Sequence, residues 1–169
     1  VTLYDLPLAY QTNETACMAL TPWAKLAVGG RMALIARGLQ GEKGTAKSAP
    51  EPVSLERVGN KWLIDFTATA VQGGGLRLPA GETQLKGFSI CGANRVFVPA
   101  KARILYGVKV IVWHDEIPEP ESLTYAFDSF NSYANLYGSD GLPVVPFRLD
   151  LDEALFLCPR PWSYMQQLQ

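Results

Sequence analysis

"VSLERVGNKWLIDF", residues 53–66, holds the clearest periodicity in the chain. Val53 and Leu55, then Trp62, Ile64 and Phe66, alternate with polar residues on either side of Gly59-Asn60. Alternation with period two gives a strand one apolar face, and a two-residue turn built on glycine closes a hairpin. Segments of the same kind follow: a short strand in "GGGLRLPAG" (73–81), then "LKGFSICG" (85–92), "RVFVPA" (95–100), "KARILYG" (101–107) and "VKVIVWHDEI" (108–117). "SLTYAFD" (122–128) is expected to be the last strand. Short strands at intervals of roughly ten residues predict a mainly β protein. They favour an antiparallel β-sandwich over 53–150 against βαβ units.

Upstream of the hairpin, "GEKGTAKSAPEP" (41–52) is small, polar and proline-containing, the composition of a linker or surface loop. Before it stands a helix signal. Thr21 suits an N-cap and Pro22 the first helical position, where its missing N–H costs nothing. Val28, Met32, Ile35 and Leu39 then form one apolar stripe, so a helix is expected over 21–39, ending near Gly38 or Gly41. Gly29 and Gly30 weaken it by up to about 1 kcal/mol each relative to alanine. Residues 1–20 begin like a short buried strand ending at Asp5 and continue as a loop, and residues 151–169 are expected to be a tail.

The chain has 169 residues, 48% of them hydrophobic and 18% charged, enough for one domain with a core and a fragment of another. A net charge of -1 with no basic cluster argues against nucleic acid. No apolar run approaches the roughly 18 residues of a membrane span. The sequence opens on Val1 without the pattern of a signal peptide, as a processed, trimmed or partial sequence would, so location is left open. Cys17, Cys91 and Cys158 are far apart, and with His114 as the one histidine they make no zinc spacing. Buried free thiols are the expected state, with a single disulfide of unassigned pairing as the alternative.

Three stretches together resemble the sialate O-acetylesterases, carbohydrate esterases with an SGNH-type α/β catalytic domain and accessory β domains. "LKGFSICGANRVFVPAKARI" (85–104) is similar to the family stretch with Gly-Phe, a small-residue turn and Phe-x-Pro-Ala. "SLTYAFDSFNSYANLYGSDGLPVVPFRLD" (122–150) resembles its ending, with Asn-Leu-Tyr, Gly-Leu-Pro and Pro-Phe-Arg in that order. "TPWAKLAVGGRMALIARGL" (21–39) resembles the helix after the family's catalytic Asp-x-His-Pro motif. The resemblance implies that residues 1–40 are the end of an SGNH-type α/β domain and 53–150 an accessory β-sandwich. It also implies that residues 135–150, "NLYGSDGLPVVPFRLD", form an extended crossing that braces the catalytic domain. The alternative is that Asn135, Tyr137 or Arg148 rims a sugar site.

The resemblance also bears on catalysis. The family's nucleophilic serine lies in a part to which nothing in this chain corresponds. If Pro22 and Lys25 keep the register, the late aspartate and histidine positions are held by Ala19 and Thr21. Neither can orient an imidazole or take a serine proton. His114, beside Asp115 and Glu116 at the end of a strand, reads as a solvated turn residue, and Asp5 alone makes no triad. The string "DEIPEPE" (115–121) reads as a solvated loop, because its prolines restrict wrapping around Ca²⁺. Gly73 to Gly75 lacks the helix start of a phosphate cradle. Trp62, Trp113, Tyr125, Phe127, Phe130, Tyr133 and Tyr137 suggest a sugar-stacking platform, but alternation assigns most of them to the core.

The expectation is therefore the C-terminal part of a carbohydrate esterase that removes O-acetyl groups from sialic acid or related sugars, lacking the nucleophile and the triad histidine and needing no cofactor. A non-catalytic carbohydrate-binding or structural subunit is the alternative. An O-acetylated sugar is the expected ligand. The stripe of Val28, Met32, Ile35 and Leu39 is expected to meet a missing catalytic portion, to self-associate, or to fray.

Overall fold

The computed structural model describes residues 22–45, 47–71, 74–127, 134–150 and 156–157. The hairpin forms where the alternation puts it. β1 (Ser54–Val58) and β2 (Lys61–Asp65) pair antiparallel with Val58 opposite Lys61. Gly59 takes φ 63° and Asn60 stays outside the left-handed region, as in a type II′ turn. β2 buries Trp62 and Ile64, and Phe66 follows them into the core. β1 is an exposed edge, with Glu56 and Arg57 in water, which discourages pairing with another chain.

After one helical turn, α2 (Thr67–Ala70), come β3 (Leu76–Arg77), β4 (Phe88–Cys91), β5 (Val98–Pro99), β6 (Lys101–Leu105), β7 (Lys109–Trp113) and β8 (Ser122–Tyr125). They are followed by β9 (Tyr137–Gly138), β10 (Phe147–Asp150) and β11 (Phe156–Leu157). One antiparallel sheet runs β1-β2-β7-β6, the other β11-β10-β8-β4-β5, and β3 pairs with β9. Inward residues of both sheets make one core: Trp62, Ile64, Val110 and Val112 on one side, Ile90, Leu123, Phe147 and Leu149 on the other. Phe66 meets Phe147 edge-on across the gap, ring centres 6.1 Å apart. The fold is a mainly β antiparallel sandwich preceded by one helix.

One expectation needs correction: "SLTYAFD" does not supply the last strand, because residues 135–150 add β9 and β10 to the sheets. β10 lies between β8 and β11, with Phe147 opposite Tyr125 and Leu149 opposite Leu123. Pro143 and Pro146 stand before this strand, so their missing N–H groups interrupt no ladder in it. Four residues are enough to seat two buried side chains, Phe147 and Leu149. The stretch expected to be a tail contributes β11, paired to β10.

The helix α1 spans Pro22–Leu39, with proline at its first position. Gly41 at φ 87° and the Glu42 N–H donating to the Arg37 carbonyl end it as a Schellman motif. Among the described residues of α1, no hydrophobic side chain joins the buried core. Val28 and Ile35 are half-buried, while Met32 and Leu39 are exposed. The 41–52 segment is loop at its start but anchored at its end. The Val145 N–H donates to the Pro50 carbonyl, and Thr69 Oγ1 donates to the Glu51 carbonyl at 2.7 Å.

Candidate functional site

Side chains that alternate away from the core of the five-stranded sheet line up by register. Pro99, Ser89, Thr124 and Arg148 are successive neighbours across β5, β4, β8 and β10. They belong to the lining of a groove of about 1010 Å³ that follows the chain over the corner where β5 runs into β6. Trp113, Lys101 and Arg103 contribute from that corner, and Phe97 and Phe127 are partly exposed beside them. The Arg148 guanidinium lies over the Phe97 ring, 5.7 Å from its centre.

Arg148 is held from behind. Its Nε and Nη2 donate to Asp150 Oδ1 at 3.2 and 2.9 Å. Ser122, buried, donates its hydroxyl to the same carboxylate, and Arg95 Nη1 reaches both the Ser122 hydroxyl, at 3.2 Å, and Asp150, at 3.7 Å. Burial pushes the Asp150 carboxyl up. The hydrogen bonds of Arg148 and Ser122 and the charges of Arg148 and Arg95 outweigh that, and hold it below the usual carboxylate range. A depressed folded-state value means stability that is present above the unfolded pKa, near 3.9, and is lost as pH falls through the folded one. Asp150→Asn is expected to cost about 1.5–3 kcal/mol near neutral pH. The gap to the parent protein should narrow in acid, as pH falls below the unfolded value and then through the depressed folded one, where the carboxyl becomes neutral like the amide. Urea unfolding near neutral pH and in acid measures it.

The wall at 82–86 is set by Asn135, which is buried. Its Oδ1 accepts from the Lys86 N–H at 2.7 Å, and its Nδ2 donates to Glu82 Oε2 at 2.6 Å and the Gln84 carbonyl at 2.8 Å. Thr83, Gln84 and Lys86 of that wall face the groove. Of the three residues suggested as a sugar rim, Arg148 lines the groove and Asn135 shapes it from beneath. Tyr137 is half-buried opposite Arg77 in the β3–β9 pair and does not line it.

Ala19, Thr21, Asp5, Phe130 and Tyr133 lie outside the described residues, as do Cys17 and Cys158. His114 accepts a hydrogen bond at Nδ1 from the Glu116 N–H at 3.1 Å, a turn contact. In the acidic loop Asp115 pairs with Lys101, and Glu121 lies 3.7 Å from Arg95. Cys91 is a buried free thiol. Trp62 and Tyr125 are core, whereas Phe97, absent from the aromatics singled out in the sequence, reaches the groove. Its signal was present in the Phe-x-Pro-Ala stretch, but the strand β5 it precedes is too short for alternation to show a face.

A scan of family models finds no match to the chain, and a search of curated proteins finds none. Among solved structures, a carbohydrate acetylesterase from Xanthomonas citri matches with a TM-score of 0.63 and 38% sequence identity over 73% of this chain. The matched part spans 27% of that enzyme. Over nearly three-quarters of its length, then, the chain is similar in sequence and in fold to about a quarter of a carbohydrate acetylesterase.

Proposed function

We propose that this chain is the C-terminal, sandwich-bearing part of an SGNH-type carbohydrate O-acetylesterase of the sialate O-acetylesterase kind. The observation that carries the reading is the 38% identity to the Xanthomonas citri carbohydrate acetylesterase over 73% of this chain. Its part in the reaction is to support and to hold sugar, not to break the ester. In the register set by Pro22 and Lys25, Ala19 and Thr21 occupy the acid and base positions, and neither side chain can relay a proton at neutral pH. The helix α1 presents its half-covered stripe of Val28, Met32, Ile35 and Leu39 to the α/β domain.

The purified chain is expected to show no turnover of 4-nitrophenyl acetate or O-acetylated sialic acid above background, and His114→Ala should leave the background unchanged. Turnover that disappears with one serine substitution in this chain would overturn the division of labour. A reading frame whose upstream sequence lacks a serine-nucleophile block would remove the esterase assignment and leave a sugar-binding sandwich, a reading that the groove beside Arg148 supports by itself.

A further inference from the structure

Among the described residues, seventeen line the groove, including Lys86, Lys101, Arg103 and Arg148, and none of these seventeen is a carboxylate. That is an unusual local composition in a chain with 15 basic and 16 acidic residues. The carboxylates that partner three of these cations stand outside the lining: Glu82 3.2 Å from Lys86, Asp115 on Lys101, and Asp150 2.8 Å from Arg148. Arg103 is exposed on β6 and makes no ion pair among the described residues.

The apolar part of the lining is as informative. Phe97 is 37% exposed and Phe127 44% exposed, and Trp113 is half-buried. Large rings left this open are ready to take an apolar partner from water. Ser89, Thr83, Thr124 and Gln84 offer hydroxyl and amide groups between rings and cations. A pyranose presents C–H faces to rings and hydroxyls to polar edges. A chain of such rings that also carries carboxylates would meet every class of group in the lining, including the Arg103 guanidinium, whose fork suits a carboxylate.

We propose that this groove binds an acidic polysaccharide, a chain of pyranose rings bearing carboxylates, with Phe97, Trp113 and Phe127 against sugar faces and Arg103 and Lys101 on the carboxylates. The inference rests on the carbohydrate reading of the chain and adds that the ligand is polymeric and which surface holds it.

The test is titration calorimetry of the full chain with four probes: polygalacturonate, the neutral polysaccharide xylan, poly-L-glutamate, and a detergent-free buffer control. The expected result is binding to polygalacturonate that weakens with added salt, at least tenfold tighter than to xylan or poly-L-glutamate. Arg103→Glu and Phe127→Ala, both at exposed positions and checked for unchanged melting temperature, should each weaken it at least fivefold. Equal binding of poly-L-glutamate would overturn the proposal, because rings would then contribute nothing. Binding of xylan but not polygalacturonate would overturn it while leaving the carbohydrate reading intact. Binding of none of the three polymers would overturn it too and point to a protein segment as the groove's occupant, whereas the esterase-part reading falls only with the upstream sequence.

Discussion

Phe147→Ala is expected to cost about 3–5 kcal/mol, up to the whole of a marginal domain's stability. The side chain is fully buried and touches three other rings, with centres 6.1 Å away at Phe66, 6.2 Å at Phe88 and 5.6 Å at Tyr125. Truncation removes the ring's transfer energy, forfeits these contacts and leaves a cavity between the two sheets. Neighbouring backbone cannot collapse into it, because β10 is laddered to β8 on one side and β11 on the other. Urea unfolding followed by fluorescence should show a lower midpoint at a similar slope. A loss below about 1 kcal/mol would mean that the string ending in "PFRLD" is not part of the core sheet, and the corrected topology would fail with it.

Gly87→Ala should rank beside it, for a different reason. Gly87 takes φ +94°, and a Cβ built there would stand 2.7 Å from the Ala134 Cα and 2.8 Å from its Cβ. Tyr125 Cε2 would be 3.2 Å away. The glycine cannot swing aside, since its carbonyl accepts the Ala126 N–H at 2.9 Å. Strained backbone and overpacking against a main chain together cost about 2–6 kcal/mol. Gly59→Ala is the matched control: φ is also positive, at +63°, but nothing lies within 4 Å. It should lose only about 1–2 kcal/mol. Thermal melts of the two variants separate the contributions. Equal losses would show that conformation alone matters at both sites and that the close approach of Ala134 is not tight.

Neither position advertised its weight along the chain. Phe147 follows two prolines within a stretch that alternates for only four residues, too short for periodicity to outweigh the turn chemistry beside it. Gly87 looks like any glycine before a strand. The requirement for it comes from Ala134, far away in sequence, whose backbone passes within contact of where a side chain would be. Asn135 makes the same point for polar groups. Its place in a motif-like Asn-Leu-Tyr suggested recognition, and its amide is occupied with the 82–86 wall.

What the sequence determined by itself was everything governed by near neighbours. Alternation of Trp62, Ile64 and Phe66 around Gly59-Asn60 specified a hairpin, because side chains on a strand repeat every two residues. Pro22 and the stripe from Val28 to Leu39 specified a helix and its start. Short strands at regular intervals specified an antiparallel sandwich. Tertiary structure alone decided which strand lies beside which, and therefore what the outer face presents. Ser89, Thr124 and Arg148 share a row only because β4, β8 and β10 pair in one register. Phe97, Arg103 and Trp113 join the same groove because the chain turns a corner between β5 and β6. A site assembled across strands leaves no local period to read, since the distances that create it run perpendicular to the chain.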